Sequence, residues 1–253
     1  MDFSAAIKEV LATKKLLLNQ AFKSTAVAKG AMDYVTDCDL AIQKALSVAL
    51  RKHYPDIPLI SEELDNKDVE GDLVFILDPL DGTTNFMHGY GSSCVSLACV
   101  KSNEPIFGVV YDPFKEELYV AQKDKGATLN QQSIRVSSVK DISNALIGAE
   151  TSPYEREDAK MHFDKLLKVF LASMDIRISG SAALDMCYVA AGQTDGFLSR
   201  NLRPWDYAAG CCILKEAGGI CTNWQGTSPS MKDSSDILAS NMLLQEVLHE
   251  LIR

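Results

Sequence analysis

The spacing of apolar residues along the chain predicts a series of helices. In residues 3–22 and 39–53, apolar positions recur every three or four residues, as on the buried face of an amphipathic α-helix. Similar patterns return in the second half of the chain, at residues 155–174, 181–191, 205–217 and 242–252. Helices are therefore expected near both ends of the chain, and the second half should be rich in them.

Short apolar runs between turn residues predict the strands. The run Leu73–Leu77 is apolar throughout and is followed by Asp78-Pro79, which is typical of a strand buried on both faces. Three more candidates follow it, separated by turn residues, at 94–100, 106–111 and 117–121. These strands should form a meander, because short turns join antiparallel neighbours. Shorter candidates lie at residues 57–60, 195–198 and 237–239.

Composition and charge exclude several classes of protein. The chain of 253 residues is 47% hydrophobic and 23% charged, as in ordinary globular proteins. Its net charge of −9 and its lack of lysine and arginine clusters argue against direct nucleic-acid binding. No stretch approaches the roughly 18 apolar residues of a membrane span. The N-terminal segment has helical spacing where a signal peptide would be continuously apolar, so a cytoplasmic protein is expected.

The segment Asp78-Pro79-Leu80-Asp81-Gly82-Thr83-Thr84-Asn85-Phe86 has the clearest chemical character. It places two acids three residues apart at the end of the predicted buried strand. Gly82-Thr83-Thr84 then predicts the start of a short helix, where free backbone N–H groups attract anions such as phosphate. Acids beside a phosphate would repel it unless a cation such as Mg²⁺ or Mn²⁺ lay between them. Taken alone, an Asp-Gly turn with a surface acid is the simpler interpretation.

Other segments of the chain repeat this combination of acids and helix starts. Each has a simple structural explanation of its own, either as solvated loop charges, as helix N-caps or as a first-turn acid. The segments are 33–39, Ser61-Glu62-Glu63, Gly180-Ser181-Ala182-Ala183 and Trp205-Asp206.

Together and in this order, these segments resemble the inositol monophosphatase family of metal-dependent, lithium-sensitive-type phosphomonoesterases. The resemblance covers nearly the whole chain, and the blocks at Asp78 and at Trp205 have the form of the family's two signature stretches. It implies an α/β (α+β) fold, the layered αβαβα sandwich of the sugar-phosphatase superfamily, with a mixed, largely antiparallel sheet. Residues 1–140 would form a subdomain with the metal-binding carboxylates, and residues 141–253 a second one that completes the active site.

The resemblance also implies which residues bind metal. Glu63, Asp78 and the backbone carbonyl of Leu80 would hold a first Mg²⁺. Asp78, Asp81 and Asp206 would hold a second, and Glu63 would help to hold a third, mostly hydrated ion; Mn²⁺ could replace Mg²⁺. Four carboxylates bring about four negative charges and three divalent ions about six positive ones. The remaining charge of about +2 matches a phosphate monoester dianion.

Catalytic and substrate-binding roles follow from the same resemblance. Thr83, hydrogen-bonded to Asp33, would orient and deprotonate the attacking water. The implied substrate-binding residues are Gly82, Thr83, Gly180, Ser181, Ala182, Ser199 and Arg200. Ser199 departs from the family, which commonly has a glutamate at this position to bind substrate hydroxyls. Either Arg200 or Arg203 recognises a second anionic group, or position 199 is an ordinary loop residue and other groups hold the alcohol.

The expected activity is Mg²⁺-dependent hydrolysis of a small phosphate monoester, with myo-inositol monophosphate as the first candidate, by metal-activated water. Phosphatases for fructose 1,6-bisphosphate, histidinol phosphate or a nucleotide bisphosphate are alternatives within the superfamily. An alternative of another class is a protein-binding partner in a transcription complex, as in some bacterial relatives. The resemblance further implies a homodimer and inhibition by Li⁺.

Overall fold

Two β-sheets and a short N-terminal hairpin organise the chain. The computed structural model describes residues 1–19, 21–22, 26–30, 33–67, 69 and 71–253, without the side chain of Asp33. The described residues form eight α-helices: α1 (Ser4–Ala12), α2 (Lys14–Leu17), α3 (Asp37–His53), α4 (Thr83–His88), α5 (Ala159–Ala172), α6 (Ala182–Ala190), α7 (Pro204–Glu216) and α8 (Gln245–Ile252). Their strands are β1 (Val27–Gly30), β2 (Asp33–Val35), β3 (Leu59–Ser61), β4 (Leu73–Asp81), β5 (Cys94–Lys101), β6 (Glu104–Asp112), β7 (Glu117–Gln122), β8 (Ala127–Leu129), β9 (Gln132–Ser133), β10 (Leu146–Ala149), β11 (Asp175–Arg177), β12 (Gly196–Leu202), β13 (Ile220–Asn223) and β14 (Ser235–Ser240).

The seven-stranded sheet contains β3 to β9 side by side in the order of the sequence. The pair β3–β4 is parallel, and the following pairs are antiparallel. This agrees with the predicted meander, because the turns between β5, β6 and β7 are too short for a parallel crossover. Strand β4 is almost entirely buried, as its continuous apolar run predicted.

The five-stranded sheet has the order β11–β10–β12–β14–β13. Strand β10 runs parallel to both of its neighbours, whereas β14 is antiparallel to β12 and β13. The register of β10 and β12 pairs Ala149 with Leu198. Residues that follow these two parallel strands therefore come to lie side by side at one edge of the sheet.

Helices cover the outer faces of both sheets and fill the space between them. Helices α1 and α3 pack on one face of the seven-stranded sheet, where Leu46 joins Phe75 and Leu97 in one core. Helices α6 and α7 lie between the two sheets and are buried on nearly all sides. Helices α5 and α8 cover the far face of the five-stranded sheet. The predicted αβαβα layering and the mixed, largely antiparallel sheet are confirmed.

The boundary predicted near residue 140 lies between strands β9 and β10, and so between the two sheets. The core between the sheets nevertheless contains residues from both sides of it, such as Val110 and Met186. Among the described residues, no helix is both long and apolar enough to span a bilayer.

The structure differs from the predicted elements mainly at short segments. The helix predicted over residues 3–22 is interrupted after Ala12, where the Thr13 hydroxyl donates to the Val10 carbonyl at 2.6 Å, and its position 20 lies outside the described residues. The helix predicted from residue 155 begins only at Ala159. Seven strands of two to four residues, β1, β2, β8, β9, β10, β11 and β13, were not predicted, because so few residues establish no periodicity.

A pair of matched substitutions in α3 tests the outer core. Leu46 is 1% exposed and Leu40, in the same helix, is 49% exposed. We expect Leu46→Ala to lower the free energy of unfolding by about 3 kcal/mol, because it leaves a cavity in the core. Leu40→Ala should change it by less than about 0.5 kcal/mol. Urea denaturation measures both, and equal effects would contradict the described packing.

Candidate active site

A bulge at the end of β4 presents two of the predicted acids. Asp78 pairs with Ser96 of β5, and Asp81 pairs with Cys94, so three residue steps on β4 oppose two on β5. Gly82 follows with φ of 82°, and a Cβ at this position would lie 2.7 Å from the Ser92 carbonyl oxygen. Only glycine fits this turn without strain. The turn leads directly into α4, which begins at Thr83.

Each aspartate of the site is anchored through one carboxylate oxygen. Asp78 Oδ1 accepts a hydrogen bond from the Leu80 amide at 2.9 Å. Asp81 Oδ2 accepts from the Ser181 hydroxyl at 2.6 Å and from the amide of Ala183, in α6, at 2.8 Å. Asp206 lies in the first turn of α7, and its Oδ2 accepts from the Arg203 amide at 2.7 Å. These bonds hold the three side chains in place.

Four acids from three segments of the chain line one cavity of about 480 Å³. Burial, and then the charges of three neighbouring acids, raise the pKa of Asp78 well above its usual value. Those neighbours are Glu62, Asp81 and Asp206. Burial, followed by the charge of Asp81, likewise raises the pKa of Asp206 well above its usual value. The four carboxylates are thus close enough to repel one another strongly.

The donor chemistry of this cavity fits a hard divalent cation. The four side chains offer oxygen ligands only, which suit Mg²⁺. In the side-chain positions of the structure, no three His, Cys, Asp or Glu groups within the described ranges are arranged to hold one ion. The Lys29 ammonium forms ion pairs with Glu62 at 2.8 Å and with Glu63 at 2.7 Å.

Two neighbouring glutamates, Glu62 and the predicted ligand Glu63, lie beside the site and both pair with Lys29. Glu62 lines the cavity, and its charge acts on Asp78 and Asp206, whereas Glu63 does not appear among the described residues of the cavity wall. The side chains of both glutamates lie near Asp39. Which of Glu62 and Glu63 would bind metal therefore stays a prediction. Burial raises the pKa of Glu62 to about 7, against the lowering effect of Lys29.

The hydroxyl of Thr83 has a carboxylate neighbour other than the predicted one. Thr83 Oγ1 donates to the Leu80 carbonyl at 2.9 Å and lies 3.4 Å from Asp39 Oδ1. The side chain of the predicted partner, Asp33, lies outside the described residues. Asp39 is itself held by the amide of Thr36 at 2.8 Å in a capping box at the start of α3. Burial raises the pKa of Asp39 to about 6.

The loop before α6 and the start of that helix form another wall of the cavity, through Gly180 and Ala182. The side chain of Asn85, in α4, donates to the carbonyl oxygens of Ser179 and Gly180 at 2.8 and 3.2 Å. This contact ties the two cavity walls together. Ser181 faces Asp81, which makes it a partner of that carboxylate.

Ser199 and Arg200 lie in an adjoining cavity of about 520 Å³. The Arg200 guanidinium is 14% exposed and pairs with Asp158 at 3.3 Å and Asp236 at 3.9 Å. Ser199 Oγ donates to Glu150 Oε2 at 2.9 Å. Glu150 lines both cavities. Sequence reasoning missed Glu150, because it follows the unpredicted strand β10 and belongs to no motif.

The chain belongs to the inositol monophosphatase family, whose sequence profile matches residues 2–253. This confirms the resemblance drawn from the acidic motifs. A relative from Vibrio cholerae, named "Nus factor SuhB", is 39% identical over 228 residues, which cover 88% of this chain and 84% of the relative.

Solved structures share the fold over nearly the full chain. The extragenic suppressor protein suhB from Bartonella henselae superposes with a TM-score of 0.92 at 30% identity, covering 99% of this chain and 98% of the other. An inositol monophosphatase from Anabaena gives a TM-score of 0.88 at 31% identity, covering 99% and 94%.

The repulsion among the acids predicts an unusual effect of Asp206→Asn on stability. Asparagine keeps an oxygen acceptor for the Arg203 amide but removes a buried charge. Without metal, in EDTA at pH 8, we expect the variant to unfold about 2–4 °C higher than the original protein. The gain should shrink as the pH falls, because acids with a raised pKa then protonate and the repulsion disappears in both proteins.

Excess Mg²⁺ should stabilise the original protein more than Asp206→Asn, because the ion has one carboxylate ligand fewer in the variant. Asp56→Asn, at an exposed acid, serves as the control and should change the unfolding temperature neither in EDTA nor in excess Mg²⁺. Differential scanning calorimetry provides the measurement. A variant that is less stable than the original protein in EDTA would contradict the proposed repulsion.

Proposed function

We propose that this chain is a Mg²⁺-dependent phosphatase that hydrolyses a small phosphate monoester, with myo-inositol monophosphate as its substrate. The observation that supports it is that four acids line one cavity: Glu62, Asp78, Asp81 and Asp206. Among the described residues, Lys29 is the only cation in an ion pair with any of the four, and its partner is Glu62. Buried like charges of this kind are unfavourable unless cations join them. A cation-filled site of this charge attracts a phosphate dianion.

The four acids would hold the ions, with Glu62 taking the role first given to Glu63, and the Leu80 carbonyl would contribute a further oxygen. When bound, Mg²⁺ would lower the pKa of a coordinated water and stabilise negative charge on the phosphate. Ser181 and the Ala183 amide would keep Asp81 oriented for this purpose.

Thr83 and Asp39 are the groups that would position the attacking water. Asp39 can accept a proton through the Thr83 hydroxyl, since a carboxylate with a pKa of about 6 is mostly ionised at neutral pH yet still basic. The amides of Gly82 and Thr83, whose residues line the same cavity, would hold the phosphate. Chemistry of this kind depends on positioning and charge stabilisation and needs no covalent intermediate.

A phosphate-ester panel tests this proposal. We expect the highest kcat/KM for myo-inositol 1-phosphate, compared with fructose 1,6-bisphosphate, histidinol phosphate and a nucleotide bisphosphate. EDTA should abolish the activity and Mg²⁺ restore it, and Li⁺ should inhibit. Asp81→Asn should lower kcat by roughly 100-fold or more without loss of folding, and Asp56→Asn should leave kcat unchanged. Undiminished hydrolysis in excess EDTA would refute the metal mechanism.

A homodimer is proposed from the exposed face of α5. The side chains of this helix that point away from the core form a continuous apolar stripe, in which Leu171 is 75% exposed. The stripe consists of Phe163, Leu167, Phe170 and Leu171, and the exposed Met174 follows just after the end of the helix. The next element along the chain, β11, is an edge strand of the five-stranded sheet. Large exposed apolar patches favour association, and a second copy presents the same stripe in a two-fold arrangement.

Leu171→Glu should convert the dimer into a monomer, because it places a charge in the proposed interface. Val48→Glu is the control, since Val48 is 65% exposed on α3, in another layer of the fold. Light scattering coupled to size-exclusion chromatography measures the mass. Equal masses for the original protein and Leu171→Glu would contradict the proposed interface.

A second candidate function rests on the name "Nus factor" given to relatives of up to 39% identity. It indicates a partner in a transcription complex. Affinity capture with the chain and with its Asp81→Asn variant separates the two functions. A binding role should survive the substitution, whereas hydrolysis should not.

A further inference from the structure

Glu150 lies where the active-site cavity meets the adjoining one. The first cavity is lined by the proposed phosphate-binding residues Gly82 and Thr83, and the second by Ser199. Glu150 belongs to the walls of both. A phosphate held at Gly82 and Thr83 would therefore leave the alcohol part of the ester within the space that Glu150 borders.

The position of Glu150 is fixed at three points. Its amide donates to the Leu198 carbonyl at 3.2 Å, as an extension of the parallel pairing of β10 with β12. Its carbonyl oxygen lies 2.6 Å from Nε2 of the buried His162. Its carboxylate accepts a hydrogen bond from Ser199 at 2.9 Å. A carboxylate fixed in this way is preorganised for a ligand, because little freedom remains to be lost on binding.

The carboxylate of Glu150 keeps one oxygen available. The hydrogen bond from Ser199 uses Oε2, and within the described ranges Oε1 has no donor and no lysine or arginine pairs with the group. Burial, and then the charge of Asp81, raise the pKa of Glu150 to about 7, while Ser199 lowers it. Hydroxyl groups can donate to Oε1, whereas a second phosphate would be repelled by it.

Serine at position 199 is suited to this arrangement. A longer acidic side chain on β12 would bring two carboxylates together, whereas the serine hydroxyl supplies a donor and leaves space for the Glu150 carboxylate. Ser199 therefore acts as a positioning residue for Glu150.

We propose that Glu150 is a specificity-determining residue whose Oε1 accepts hydrogen bonds from hydroxyl groups of the substrate, so that the site selects polyol phosphates. The inference rests on the proposed phosphatase function and assigns the class of its alcohol.

Glu150→Gln tests the inference with little change in shape. We expect KM for myo-inositol 1-phosphate to rise about ten-fold, because hydrogen bonds to charged groups contribute more than neutral ones. The kcat/KM for 4-nitrophenyl phosphate, which has no neighbouring hydroxyls, should stay within about two-fold. Glu157→Gln, at an exposed acid of the same connection, should change neither. Ser199→Ala should also raise KM for myo-inositol 1-phosphate, by a smaller factor. This variant replaces Glu150→Gln as the test if Glu150→Gln does not fold.

Binding without turnover separates this inference from the proposed function. Calorimetry with Mg²⁺ compares the phosphonate analogue of inositol 1-phosphate with methylphosphonate, which lacks the polyol. Glu150→Gln should weaken the first about ten-fold and the second little. One outcome is that the original protein hydrolyses neither myo-inositol 1-phosphate nor 4-nitrophenyl phosphate while Glu150→Gln still weakens binding of the inositol phosphonate alone. In that case the phosphatase proposal fails and the role of Glu150 stands. Equal losses for both ligands, or no loss for either, would overturn the role of Glu150.

Discussion

Repulsion among buried carboxylates is the constraint around which this fold is arranged. Burial and like charge both raise the pKa of Asp78 and Asp206, so the ionised site opposes folding when no cation is present. The surrounding structure must hold the acids in place against this force. It does so by packing β4 on both faces and by giving each aspartate a backbone or hydroxyl donor. Such a site lowers the free energy of unfolding, but it produces a strong electrostatic field in the cavity.

The layering of the fold explains how residues distant in sequence reach one point. The acids at the end of β4 belong to the first sheet, and Glu150 belongs to the second. Helices α6 and α7 lie between the sheets, and their first turns supply the Ala183 amide and the Asp206 carboxylate. The site therefore lies at the junction of three layers, and a shift of any layer would change the spacing of its charges.

Sequence patterns predicted the parts of this arrangement that have strong local signals. The apolar run of β4 and the acids that follow it are evident because one strand contains both, and Asp206 is marked by its neighbour Trp205. No local signal shows that Glu62, and not Glu63, lines the cavity, since consecutive side chains leave a strand end in different directions. Likewise, nothing in the sequence shows that Thr83 meets Asp39, which lies 44 residues earlier and is positioned by the cap of α3. Tertiary packing determines both.

The charges around the second cavity bear on the nature of the alcohol. Arg200 was one candidate for recognising a second anionic group, but Asp158 and Asp236 already pair with its guanidinium, which is 14% exposed. A second phosphate would have to compete with these carboxylates and also approach Glu150. A neutral alcohol with several hydroxyl groups meets neither obstacle and finds an acceptor in Glu150. Under the proposed function, the electrostatics of this wall therefore favour a polyol over a bisphosphate.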